Sequence, residues 1–237
     1  GLADERRPVI AGGVAVLSAV FKALDIEHMQ VSDLALREGL LYELIGYNQH
    51  SDVRDSTIQA FMQRFGIDHD QSGRVEATAR ALLRQVEGSW ELDDPQPGQI
   101  LAWASRLHEL GLVVSHSGFH KHGAYILANA DLPGFTHQQQ GLLAALVRTH
   151  RRKFNDAAFA GLAPPIAEHA KRLAVLLRLS VLLHRGRSGS HKPPMKILAT
   201  DTTIEVSFPD AWLAAHPLTE TEIAREAEYL LNAGFTL

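Results

Sequence analysis

Apolar residues recur every three or four positions along most of this chain, and that spacing predicts helices. PVIAGGVAVLSAVFKAL, residues 8–24, reads as a helix with Pro8 near its start and a small-residue face. MQVS (29–32) reads as a short strand, 33–37 as a turn and EGLLYELI (38–45) as a helix. A polar break at 46–50 follows, and strand signals then vanish until the last fifth of the chain. Helices are predicted over 52–65, 71–87, 98–110, 121–129, 137–150, 156–160 and 166–185. Val75, Ala79, Leu82, Leu83 and Val86 form one apolar stripe, and Ile100, Trp103, Ala104, Leu107 and Leu110 another. DDPQPGQ (93–99) and LPGF (132–135) read as turns from their proline and glycine content. RGRSGSHKPP (185–194) reads as a linker, and KILAT with TIEVSF as the two strands of a hairpin. PDAWLAAH (209–216) reads as a helix, and LTETEIAREAEYLLNAG as a second, opened by Thr219 and closed by Gly234. The closing FTL looks like one more strand.

Three pieces emerge: a short α/β segment over 1–46, an all-helical middle over 50–186, and a small α+β tail over 195–237. The fold class is therefore mainly α. No apolar run approaches the eighteen or so residues of a membrane span. LAVLLRLSVLLH (173–184) is too short and holds Arg178, so it reads as a buried helix. The chain has no cysteine, which removes disulfides and thiolate chemistry and suits a reducing, cytoplasmic location. Its opening GLADERRPVIAGG has no secretory pattern and reads as the middle of something longer.

The net charge of −4 hides a strong asymmetry. Residues 148–196 carry eleven Lys/Arg and two acids, a net +9, whereas 197–237 carry a net −6. Such a concentration of cations suggests a local anion site. Just before it lies SHSGFHKHGAYIL (115–127), with His116, His120, Lys121 and His122. Imidazole and guanidinium donors without acidic neighbours suit phosphate oxygens. The candidate track is Arg148, Arg151, Arg152 and Lys153 faced by His116, His120, Lys121 and His122. If the helix continues past 150, Arg148, Arg151 and Arg152 share one face.

Gln71, His108, Glu109 and His150 tilt inward on neighbouring helices. HD phosphohydrolases hold a divalent metal with His and Asp placed in this way. Here Gln71 replaces a histidine, the pair is His108-Glu109, and Ser180 and Val181 stand where the closing carboxylate should be. The cluster is a degenerate HD site, and no metal is expected there.

DERRPVIAGGVAVLSAVFKAL, VSDLALREGLLYEL, WASRLHELGLVVSHSGFHKHGAYILANADLPGF and LVRTHRRK together resemble the exopolyphosphatase / guanosine pentaphosphate phosphohydrolase family, in order and over nearly the whole chain. The resemblance implies the end of an actin-like α/β lobe over 1–46, then a degenerate HD-like helical domain, then a small C-terminal α+β domain. It implies a homodimer, Mg²⁺ for the whole enzyme, and polyphosphate threading through a basic passage. The family releases terminal orthophosphate from inorganic polyphosphate or the γ-phosphate of pppGpp. Its glycine-rich phosphate loops and catalytic carboxylate belong to an N-terminal half with no counterpart here, so this chain reads as a substrate-binding and dimerising region without catalytic residues of its own. Eleven basic residues favour polyphosphate over pppGpp. An HD metal phosphohydrolase and a nucleic-acid-binding module are the alternatives. The latter lacks interleaved aromatics, with only Phe154 and Phe159 between 148 and 196, so no specific nucleic acid is expected. Peripheral association with the inner membrane is left open.

Overall fold

The computed structural model describes residues 8–29, 31, 52–187 and 195–237. It divides into two units, Gly1–Ile45 and Gly46–Leu237. In the first, α1 (Ile10–Leu24) forms as expected and ends where Asp25 adopts φ 52°. Its Val14, Val16 and Leu24 are exposed. Met29 and Val31 lie in irregular backbone rather than in the expected strand. The turn at 33–37, the helix at 38–45 and the break at 46–50 fall outside the described residues.

In the second unit the helices are α2 (Val53–Arg64), α3 (His69–Val86), α4 (Pro95–Leu107), α5 (Phe119–Asn129), α6 (His137–Thr149) and α7 (Pro164–Leu183). Their starts are set by side chains that satisfy backbone N–H groups left free at a first turn. Asp52 accepts from Arg54 N at 2.9 Å and Asp68 from Gln71 N at 2.9 Å. Thr136 and Gln139 exchange reciprocal bonds at 3.2 Å ahead of α6. DDPQPGQ is not a turn. Asp94 caps α4 and Pro95 takes its first position, where a missing N–H costs nothing. The helix therefore starts and stops three residues earlier than the apolar spacing predicts, and His108 becomes its cap residue.

Both predicted stripes are buried, and α7 passes through the core with every residue from Leu173 to Ser180 covered. The expected hairpin forms as β1 (Lys196–Ala199) antiparallel to β2 (Ile204–Ser207), with Ile197 opposite Val206. It is tied to α3 by Gln85, whose amide donates to Met195 O at 3.3 Å and accepts from Ile197 N at 3.1 Å. The closing FTL contributes one parallel bridge, Thr203 to Thr236. PDAWLAAH is not a helix: Ala211 sits at φ 60°, which breaks the ladder into turns, and Phe208, Trp212 and His216 stack instead. The last helix, α8, runs Pro217–Leu231.

Arg178 of α7 is 1% exposed. Its guanidinium donates to Glu226 of α8, to Thr149 O at the end of α6, and to Arg152 O at 2.6 Å. A buried cation is tolerable only when paired and fully hydrogen-bonded, and Arg178 is both. Glu226→Ala leaves that charge without its carboxylate. It should lower the unfolding free energy by about 3–5 kcal/mol, read from the urea midpoint. The double replacement Arg178→Met with Glu226→Leu should recover only part of that loss, because Thr149 O and Arg152 O still lack their donor.

Candidate functional site

Two glycines bring the elements of the site together. A short 3-10 turn, Leu110–Val113, follows α4 and packs against the start of α5. A Cβ on Gly111 would lie 2.0 Å from Phe119 O and 2.4 Å from Gly123 N, so only glycine permits this approach. Gly118 at φ 69° then turns the chain into α5. The helix consequently begins at Phe119, two residues earlier than expected, so His120 belongs to its first turn and not to a loop.

That shift buries His120 against the end of α6. The His120 and His150 ring centroids are 6.3 Å apart, and those of His150 and His108 are 5.5 Å apart, all edge to face. Nδ1 of His108 lies 2.7 Å from Ser105 O, and Nδ1 of His150 lies 2.7 Å from Val147 O. A carbonyl can only accept, so in the neutral rings Nδ1 carries the proton. Burial holds both imidazoles below the ordinary histidine range, His150 well below. His120 is lowered to about 4, first by burial and then by Arg148, Arg151, Lys121 and Arg152. His116 stays exposed in the preceding loop, and His122 is half-buried in α5.

The helix does not continue past 150. Thr149 ends α6 and Arg152 turns back at φ 63°, its carbonyl bonded to Arg178. Arg148 therefore stays on the last turn of α6, while Arg151 and Arg152 lie in the bend that follows it, and the three do not share one helical face. Arg151 is half-buried with its guanidinium 4.5 Å from the Phe119 ring centroid, while Arg152 and Lys153 are exposed. Burial lowers the Arg151 pKa, as do Arg152 and Arg185, against the pull of Glu109.

Several cations of the basic segment are paired. Lys171 pairs with Asp156 at 3.0 Å, Arg178 with Glu226, Arg185 with Glu222, and Arg187 with Glu109 and Asp68. Arg172 donates to Trp90 O at 2.8 Å and lies 3.6 Å from Asp201. Among the described residues, Lys121, Arg148, Arg151, Arg152 and Lys153 have no carboxylate within ion-pair distance. Lys121, Arg148, Arg151 and Arg152 lie around His120, and Lys153 follows them in sequence.

Gln71, His108 and Glu109 line a cavity beside this group, while His150 does not. Gln71, His108, Glu109, Leu112, His116, Phe119, Arg151, Val181, Arg185 and Arg187 enclose a cavity of about 290 Å³. The apolar spacing located Gln71, His108, Glu109 and His150 but gave no sign of Arg185 and Arg187, which stand in what reads as linker. Gln71 donates to His184 O at 2.8 Å and accepts from Arg74 at 2.8 Å. Glu109, the only carboxylate among the described residues that line the cavity, is held by Arg187. Among the described residues no three His, Asp or Glu side chains converge on a point that could hold a metal ion.

Residues 53–227 match the family described as "Ppx/GppA phosphatase, domain III", and residues 1–48 match "Ppx/GppA phosphatase family". Among known proteins, the chain is 33% identical over all 237 residues to a guanosine-5'-triphosphate,3'-diphosphate pyrophosphatase of Pseudoalteromonas translucida, covering 48% of it. It is 35% identical over all of its length to the protein of that name from Photobacterium profundum, covering 47%. With the one from Aeromonas hydrophila it shares 36% over 235 residues, 99% of this chain and 47% of the relative. The chain thus spans about half the length of the curated relatives it matches.

The histidine pKa shifts carry a sign for stability. Their folded values lie below the ordinary one, so the unfolded chain binds more protons on acidification. Stability should be intact above the ordinary histidine pKa of 6.5 and fall as pH drops towards about 4. Urea midpoints across pH 7.5 to roughly 4.5 should decline, and His120→Gln should make that decline shallower.

Proposed function

Because the chain belongs to the Ppx/GppA phosphatase family, we propose that it is the phosphate-recognising C-terminal region of a phosphohydrolase whose substrate is a chain of phosphoanhydride-linked phosphates. The observation that carries this reading is the set of unpaired cations, Lys121, Arg148, Arg151 and Arg152, gathered around His120, with exposed Lys153 next in the chain. Desolvated guanidinium groups bind phosphate oxygens through paired, charge-assisted bonds. A neutral imidazole at their centre adds no charge of its own. The name shared by the relatives points to guanosine pentaphosphate as the substrate of the parent enzyme.

A second reading, inorganic polyphosphate, draws on the aromatics beside the cations. Phe154 and Phe159 stack on each other inside the core, with ring centroids 5.7 Å apart. Phe119 is covered by Arg151. None of these rings presents a free face to a base, which also weighs against nucleic acid. In both readings a chain of phosphates runs across the α5–α6 rim, and the competing set at Lys171 and Arg172 takes no part because its charges are already paired.

Each phosphate contact releases about one counterion, so losing a contact lowers the salt slope by about one unit. Arg152→Ala with Lys153→Ala should weaken binding of a polyphosphate probe and flatten its dependence on log salt by about two units. The urea midpoint should hardly move, since exposed charges contribute little to stability. Unchanged affinity and slope would remove the rim from the substrate path. Parallel titrations with guanosine pentaphosphate and polyphosphate separate the two substrates.

A further inference from the structure

The cavity enclosed by Gln71, His108, Glu109, Arg151, Arg185 and Arg187 lies beside the rim and has a different chemistry. Three guanidinium groups meet one carboxylate there. Arg187 is committed to Glu109 and Asp68, and Arg185 to Glu222. Arg151 is half-buried, fixed over Phe119 and without a carboxylate among the described residues. An uncompensated cation in a partly desolvated place favours an anion beside it.

The same cavity also offers acceptors. Nδ1 of His108 faces Ser105 O, so in the neutral ring the proton is on Nδ1 and Nε2 holds a lone pair. Burial keeps that ring neutral. Among the described residues Nε2 has no hydrogen-bond partner, and Glu109 Oε1 lies 3.9 Å from it. The cavity thus sets a lone pair and a carboxylate next to unsatisfied guanidinium donors. A fully ionised oxyanion such as sulfate satisfies the donors but turns lone pairs towards Nε2 and Glu109. An oxyanion that keeps one proton satisfies both kinds of group at once.

We propose that this cavity is a site for a single protonated phosphate group, free orthophosphate or the terminal phosphoryl of a chain, selected against sulfate and against interior phosphoryl groups by its P–OH. The oxygens of the group accept from Arg151 and from the Arg185 N–H groups that its single bond to Glu222 leaves over, and its hydroxyl donates to His108 Nε2 or to Glu109. Interior phosphoryl groups of a polyphosphate have no such hydroxyl at neutral pH, so the cavity recognises an end and not a middle. The site rests on the phosphohydrolase reading only for where its phosphate comes from. The cavity suits an anion and not a cation: Gln71 is neutral, Glu109 is tied to Arg187, and Arg151 brings the positive charge.

The test is calorimetric titration of the 237-residue chain at low ionic strength and pH 7, with sodium phosphate, sodium sulfate and tripolyphosphate as probes. Orthophosphate should bind one to one, with sulfate weaker by about tenfold or more, since each unpaired polar group in a closed site costs at least that factor. Arg151→Gln should weaken orthophosphate about tenfold. Arg185→Gln, at an exposed position, gives the same reading if the Arg151 variant fails to fold. Lys196→Gln, distant in sequence and exposed, should change nothing. Glu109→Gln exchanges an acceptor for a group that also donates, so it should strengthen sulfate and narrow the gap between the two anions. A merely structural Glu109 would not shift selectivity in that direction. Competition between tripolyphosphate and orthophosphate assigns the site to a chain end, and independent binding assigns it to free orthophosphate. Three results would overturn the proposal: no orthophosphate binding, equal affinity for sulfate and phosphate, or a divalent cation bound in its place and lost in Glu109→Gln. The rim variants Arg152→Ala and Lys153→Ala lie outside the cavity, so the salt-slope experiment can fail or succeed independently of this one.

Discussion

Arg178 donates to two carbonyls that the end of α6 leaves free and to the carboxylate of Glu226 on α8. Those bonds decide where the chain goes after Thr149. A helix continuing through 153 would spread Arg148, Arg151 and Arg152 along one side. Instead Arg152 turns back at φ 63°, and the arginines gather around His120. An apolar pair of similar size could serve stability as well as a buried ion pair does. It could not bind two backbone carbonyls, so the importance of Arg178 lies in geometry more than in net free energy.

Pairing explains how one basic segment holds both scaffold and site. Lys171, Arg178, Arg185 and Arg187 each meet an acid, several of them from the acidic tail or from α3 and the 3-10 turn. The −6 of the last 41 residues is thus not a separate feature but partly the counter-charge of the helical middle. Lys121 on α5, Arg148 at the end of α6 and Arg151 to Lys153 just after it remain without a carboxylate among the described residues. The glycines at 111 and 118 let α5 approach closely enough for its first turn to close over this group.

The sequence disclosed the α-helices and the hairpin of the second unit because their apolar stripes face one continuous core, and burial enforces the period. It misplaced α4 because the cap Asp94 and Pro95 outrank the stripe at that end. It misread PDAWLAAH because stacking of Phe208, Trp212 and His216 has no periodic signature. Inward-facing Gln71, His108 and His150 were legible from their offsets to apolar neighbours. The cationic rim was legible as composition, but not which cations were free, since pairing is set by contacts as distant in sequence as Arg187 with Asp68. The turn at Arg152 was illegible too, because its cause is a residue on another helix.

We propose that phosphate chains bind at the unpaired cations around His120, beside the turn that Arg178 fixes at Arg152. Backbone amide shifts during titration with tripolyphosphate test it most directly. The account predicts that perturbations cluster at residues 116–122 and 148–153 and disappear at high salt. Perturbations confined to the surroundings of Lys171 and Arg172, with the α5–α6 rim unmoved, would contradict it.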